Sequence, residues 1–232
     1  MIKLHYHYLL SKINLIIISI LVLIIFLTFN IHINIFDNHI NEFINKEYIN
    51  VNYHNIYILI NKLCTVLFSC YLFGYSFYYN NDNYAVLITS FRKNRLPYLY
   101  TKILTLSLIV IIFNAIIYIL YLLIGIIGNR YFTFQTYILN IFIQSILINL
   151  IYGYLTSILI MFIKSYFVIL IPYLLFIVSE ILGDYQSLFV ELYHLLLPTI
   201  INNNSNNQYV LLCLLFIYYL IIFTFCYQKH EI

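Results

Sequence analysis

The sequence has very little charge. Asp, Glu, Lys and Arg together make up 8% of the 232 residues, whereas soluble domains contain about 25%. A chain with so few charged residues cannot cover a water-facing surface, which excludes a soluble globular protein. Glycine and proline are also scarce, with five and three residues, and tryptophan is absent.

The motifs of common enzyme sites are missing as well. The five glycines lie in or beside apolar runs, so the chain has no Gly-x-x-x-x-Gly-Lys-Ser/Thr phosphate loop and cannot hydrolyse ATP through one. There is no His-Glu-x-x-His zinc helix and no Gly-x-Ser-x-Gly elbow, and the seven histidines are scattered through the predicted tails and loops. We therefore predict no catalytic, cofactor-binding or metal-binding residues, and we interpret the chain as a protein that is not an enzyme.

Long apolar runs are the main feature of the sequence. Hydrophobic residues make up 64% of the chain, and six runs are long enough to cross about 30 Å of hydrocarbon. Continuous runs of this kind favour helices over the alternating strands of a barrel. We predict one all-α transmembrane domain over residues 1–232, with a polar loop over about 30–55 and a tight turn at Lys164. Its predicted spans are about 13–29, 56–79, 103–127, 137–163, 166–182 and 209–227.

Basic residues predict the orientation, because Lys and Arg concentrate in cytoplasmic loops. If the amino terminus is cytoplasmic, only Lys46 and Arg130 lie outside. The inner side then holds the other eight considered: Lys3, Lys12, Arg92, Lys93, Arg95, Lys102, Lys164 and Lys229. We predict a multi-pass protein of the cell membrane with both termini in the cytoplasm.

The loop between the second and third spans contains a short amphipathic pattern. Asp82 is a suitable helix N-cap, and Pro97 suits the first turn of the helix that follows. An apolar stripe and then a basic turn lie between them: Tyr84, Leu87, Ile88 and Phe91, followed by Arg92, Lys93 and Arg95. Such a helix can lie on the membrane surface or dock its apolar face into a cytoplasmic partner.

Two stretches in this region carry a resemblance to a known family. Residues 87–92 (Leu-Ile-Thr-Ser-Phe-Arg) and 98–102 (Tyr-Leu-Tyr-Thr-Lys) resemble the coupling helix and following span of type-2 ABC exporter permeases. The six-span layout, the long loop with Pro198 before the last span, and the ending from Tyr227 to Ile232 are also similar to that family. The helix lacks the acidic residue and the glycine often found at this position.

The resemblance implies a permease that forms one half of a homo- or heterodimer and works with a separate cytoplasmic ATPase. Residues 84–91 would transmit closure of the ATPase to the spans, and residues 183–207 would form re-entrant or interfacial helices on the outer side. The expected cargo is a peptide, lipid or other amphipathic compound, as in antimicrobial peptide export or immunity. The alternatives are a membrane-embedded enzyme and an anchor subunit without a transport role.

Polar residues inside the spans are the remaining candidates. Lys62 can extend to the outer headgroups, or it can pair with Glu180 near the outer end of the fifth span. Asn114, Gln144 and Asn149 are typical of hydrogen bonds between helices, at about 0.6 kcal/mol each.

Overall fold

The computed structural model describes residues 12–39, 46–78, 95–128, 132–182, 196–199 and 206–229. These residues are almost entirely helical and contain no strand. The predicted all-α class is therefore confirmed for the described part of the chain.

Six helical elements follow one another along the described residues. The second, α2, consists of two α-helical halves, Lys46–Ile60 and Val66–Phe77, joined by a π-helical turn at Asn61–Thr65. The fifth, α5, begins with a 3-10 turn at Tyr166–Ile169 and continues as an α-helix at Leu170–Leu182. The others are α1 (Lys12–His39), α3 (Arg95–Gly128), α4 (Thr136–Ile163) and α6 (Asn206–Lys229).

Four stretches are long and apolar enough to cross a membrane: Val51–Phe77, Leu96–Gly128, Thr136–Ile163 and Tyr209–Gln228. Two further apolar helices are shorter, Ile18–Asn30 in α1 and Tyr166–Leu182 in α5. The count of six membrane crossings therefore stays a prediction.

The predicted polar loop over residues 30–55 is wrong. Helix α1 continues to His39 and α2 already begins at Lys46, so most of that region is helical. An aromatic contact explains the difference. The ring of Tyr53 lies 5.6 Å from that of Phe29 and stacks on Tyr121 at 5.1 Å, measured between centroids. Packing of this kind extends α2 through residues whose polarity alone predicts a loop.

Helix α3 likewise begins earlier than the predicted third span, at Arg95 rather than at about residue 103. Pro97 is the third residue of the helix, in the first turn, where its missing N–H costs no intrahelical hydrogen bond. The turn between α4 and α5 is as tight as the sequence predicts. Lys164 adopts a left-handed conformation with φ 50°, and its N–H donates to the carbonyl of Ile160 at 3.0 Å.

Helices α2 and α4 pack closely because small residues lie between them. A Cβ atom at Gly153 of α4 would lie 2.5 Å from the Phe73 ring of α2, and one at Gly74 of α2 would lie 3.2 Å from Thr156 of α4 and 2.5 Å from Ile169 of α5. Neither position has space for a larger residue unless its neighbours move. Close approach at small residues is the usual way in which helices associate in lipid.

One end of the bundle, here called the Lys164 end, brings several helix termini together. The ring of Tyr78, just after α2, lies 3.7 Å from that of Tyr166 at the start of α5. Phe77 contacts Phe223 near the end of α6, with ring centroids 5.0 Å apart. The Phe29, Tyr53 and Tyr121 cluster lies at the opposite end, so consecutive helices from α1 to α3 run antiparallel.

Candidate functional site

The predicted coupling segment lies largely outside the described residues. Tyr84, Leu87, Ile88, Phe91, Arg92 and Lys93 all fall in the undescribed range 79–94. Arg95 is the first residue of α3. The helix over 84–91 thus stays a prediction.

The two predicted ion-pair residues, Lys62 and Glu180, come together in the structure. The Nζ atom of Lys62 in the π turn of α2 contacts Oε2 of Glu180 in α5. The two side chains are 30% and 18% exposed. A charge that reaches the lipid side without a partner is costly, and direct pairing reduces that cost.

A groove surrounds this ion pair. It has a volume of about 470 Å³ and lies between α2 and α5. Asn55, Lys62 and Glu180 supply its polar atoms, and the rest of the lining is apolar, with Leu59 and Phe176 among the contributors. The volume falls within the range of about 300–1,000 Å³ that is typical of ligand pockets.

A buried polar network connects α2, α3 and α4. Asn149 Nδ2 of α4 donates to Asn114 Oδ1 of α3 at 3.1 Å, and Thr65 Oγ1 of α2 donates to Asn149 Oδ1 at 3.3 Å. Ser69 Oγ donates to the backbone carbonyl of Asn149 at 2.5 Å. Ser145 Oγ adds a 3.3 Å contact to Asn114 Oδ1. The predicted role of Asn114 and Asn149 in bonds between helices is confirmed.

The π turn is the feature that sequence reasoning missed. It places Asn61, Lys62 and Thr65 in one widened turn of α2. Lys62 points to α5, whereas Thr65 points to the buried network, so the two polar groups of the turn contact different helices. Turns of this kind frequently occur at functional sites because they shift side chains relative to the regular helix. No residue pattern in the sequence signals the extra residue.

His54 was also missed, because the sequence placed it in a loop. It is buried in α2, and its Nδ1 lies 2.5 Å from the hydroxyl of Tyr121 in α3. The Tyr53 hydroxyl donates to the carbonyl of Tyr121 at 2.6 Å. The imidazole also packs edge-on against Phe132 and Tyr137. These contacts join α2, α3 and the start of α4 at the end opposite Lys164.

Residues 197–199 follow Leu196 as non-helical backbone, and Pro198 and Thr199 are buried against the bundle. Three successive carbonyls accept hydrogen bonds from three helices: Leu196 from Tyr219 of α6 at 3.0 Å, Leu197 from Ser179 of α5 at 2.8 Å, and Pro198 from Tyr152 of α4 at 3.3 Å. Tyr152 and Tyr219 lie near the middle of their helices. Non-helical backbone at such a depth is stable only where the protein satisfies its polar groups, as it does here.

Among the described residues, no three His, Cys, Asp or Glu side chains come together as a metal site. Comparisons with protein-family models, curated proteins and solved structures find no match to this chain. The class of protein is therefore defined by the fold and its polar contacts alone. The protein is a helical bundle with four helices long and apolar enough to cross a membrane, and polar side chains join its central helices.

Proposed function

We propose that the chain is the permease subunit of an ATP-driven exporter in the cell membrane. In this proposal it crosses the membrane six times with both termini in the cytoplasm, and it pairs with a second permease subunit. A separate ABC ATPase binds and hydrolyses ATP. The cargo is a peptide, lipid or other amphipathic compound, with antimicrobial peptide export or immunity as the closest analogy.

The observation that supports the proposal is the contact between the two helices that flank residues 79–94 in the chain. Lys102 of α3 is buried, and its Nζ lies 4.4 Å from the ring centroid of Phe77, the last residue of α2. Phe77 in turn packs against Phe223 of α6. The two helices that flank this segment in the chain therefore contact each other through Phe77 and Lys102, and Phe77 also contacts a third helix.

This contact fits the mechanics that a permease requires. A force on residues 79–94 would act on the Phe77 and Lys102 contact and, through it, on α2, α3 and α6. A transport cycle needs at least two arrangements of the helices, and a bound ATPase can bias them only through differential contacts. The π turn of α2 lies beside the buried network, so a change in the hydrogen bonds of Thr65 and Asn149 would accompany a movement of α2 relative to α4.

The coupling role can be tested by co-purification with the ATPase. Any P-loop ATPase encoded beside this chain is a candidate, to be expressed with it and captured through a tag on the permease. We expect Leu87→Asp and Phe91→Asp to abolish capture, because each places a charge on the apolar stripe. Thr89→Asp is the matched control, since residue 89 falls on the opposite face of the predicted helix.

If Leu87→Asp and Phe91→Asp both capture as much ATPase as the original chain does, the coupling role is contradicted. Loss of capture in the Thr89→Asp control as well would point to a general charge effect rather than a docking face. Transport of a labelled cargo by the co-purified pair in vesicles separates a permease from an anchor subunit, because an anchor would retain the ATPase and move nothing.

A further inference from the structure

The groove between α2 and α5 places two opposite charges at one level of the bundle. Phe77 follows Lys62 by fifteen positions, and Glu180 follows Tyr166 by fourteen. At about 1.5 Å per residue, both side chains start roughly 22 Å from the Lys164 end. The contact between Tyr78 and Tyr166 aligns the two helices at that end. In about 30 Å of hydrocarbon, the pair then lies roughly 8 Å below the opposite boundary.

The pair is turned towards lipid rather than into the protein core. Leu59 and Leu63, on either side of Lys62 along α2, are 56% and 40% exposed. On α5, Leu174 is 56% exposed and Ile181 is 62% exposed. An ammonium and a carboxylate therefore stand side by side on an apolar surface, below the headgroups but within reach of them for an extended lysine side chain.

The chemistry of this arrangement selects a particular ligand. Lys62 can donate hydrogen bonds to a phosphate, Glu180 can accept them from an ammonium, and the exposed Asn55 amide can do either. A ligand with both charges on adjacent groups replaces the internal ion pair without leaving either residue unpaired. Its hydrocarbon chains would lie against the apolar lining of the groove and continue along Leu63 and Leu174 towards the Lys164 end.

We propose that this groove binds a zwitterionic phospholipid with a primary ammonium headgroup, of the phosphatidylethanolamine type. Phosphatidylcholine matches the charges, but its quaternary nitrogen has no N–H to donate to Glu180. Phosphatidylglycerol presents only negative charge, so it gains from Lys62 and is repelled by Glu180. Free glycerophosphoethanolamine has the headgroup without the chains that fill the apolar part. The site is independent of the exporter proposal, because it needs neither an ATPase nor transport.

The test is lipid binding to the purified full chain in detergent, measured by native mass spectrometry as each lipid is added. We expect phosphatidylethanolamine to bind at least about tenfold more tightly than phosphatidylcholine or phosphatidylglycerol, since one charge-assisted hydrogen bond supplies that difference. Glycerophosphoethanolamine should not bind in the same concentration range. Lys62→Gln and Glu180→Gln should each remove the preference, whereas Lys164→Gln, a cation at the other end of the bundle, should leave it unchanged.

A second variant keeps the test independent of the ion pair. Leu59→Trp places a large ring in the apolar part of the groove on an exposed position, which should not disturb folding, and it should weaken phosphatidylethanolamine binding about tenfold. Equal binding of the three phospholipids would overturn the proposal, as would a preference unchanged in both charge variants. A stable dimer that binds no lipid would also overturn it, because the groove would then be covered by a second copy of the chain.

Discussion

Helices α2 and α6 are both apolar enough to cross a membrane, yet they are built differently. In their most apolar stretches, 67% of α2 is buried inside the bundle and only 22% of α6. The buried residues of α2 include polar side chains: His54, Asn61, Thr65, Ser69 and Ser76. In the described part of α6, the buried side chains are leucine, phenylalanine and tyrosine: Leu212, Leu215, Tyr219, Phe223 and Tyr227. The more buried helix, α2, therefore has the more polar buried surface.

This difference follows from the solvent. Lipid is as apolar as leucine, so burying leucine between helices gains little, and helices associate instead through close packing and hydrogen bonds. The seam between α2 and α4 has both, with Gly153 allowing close approach and Asn149 bonding to two neighbouring helices. We therefore expect substitutions at that seam to have large effects and substitutions on the outer face of α6 to have small ones.

The largest effect is expected from Gly153→Leu. The added side chain begins 2.5 Å from the Phe73 ring, so the ring or the helices must move, at a cost of about 3 kcal/mol. Little folded protein should survive size-exclusion chromatography after mild heating. Cys213→Leu is the control, since Cys213 is exposed on α6 and a larger side chain there meets lipid. Full recovery of Gly153→Leu would show that the two helices are not in close contact.

A matched pair of leucines tests the contrast directly. Leu72 of α2 is 1% exposed and Leu214 of α6 is 62% exposed. Leu72→Ala leaves a cavity and should destabilise the protein by about 2 kcal/mol, while Leu214→Ala should stay within about 0.5 kcal/mol of the original. Unfolding in mixed micelles with increasing SDS measures both. Equal losses of unfolding free energy in the two variants would mean that the buried helix α2 and the exposed face of α6 do not differ in this way.

The polar network should contribute less than the packing. Asn149→Ala removes its bonds to Asn114 and Thr65, which predicts a loss of about 1 kcal/mol at roughly 0.6 kcal/mol per bond. A double-mutant cycle with Asn114→Ala should give a coupling energy near 0.6 kcal/mol. Thr224→Ala is the control, because its hydroxyl bonds only within α6. Strict additivity of Asn114→Ala and Asn149→Ala would contradict the bond between them.

The smallest of these effects is expected at the lipid-facing ion pair. Lys62→Ala and Glu180→Ala should each lower expression and cost only about 1 kcal/mol, because the charge that loses its partner lies near the outer boundary and can extend towards the headgroups. The double variant should be no worse than either single variant. Expression levels and SDS unfolding of the three proteins check this. Independent, additive losses would mean that the two charges do not depend on each other.

The sequence predicted those features that depend on hydrophobic length and on rare polar residues. Long apolar runs located all six helices, and Lys164 marked the tight turn before α5 because few charges interrupt those runs. Charges are costly in lipid, so the sequence singles out Lys62 and offers two interpretations, extension to the headgroups or pairing with Glu180, and the structure shows the pairing.

The missed features depend on packing that no local pattern records. The extension of α2 to Lys46 depends on the Tyr53 and Tyr121 stack, which joins residues far apart in the chain. In a chain with 26 tyrosines, no single tyrosine could be singled out in advance. The π turn depends on one inserted residue, and the placement of residues 196–199 depends on hydroxyl donors from three other helices.

Single-cysteine labelling of intact cells tests the proposed orientation most directly. The four native cysteines would be replaced by serine, and one cysteine would be introduced at Arg92 or at Arg130. A maleimide that cannot cross the membrane should label position 130 in intact cells, and position 92 only after the cells are opened. Labelling of position 92 in intact cells would contradict both the six-span topology and the docking of an ATPase at residues 79–94.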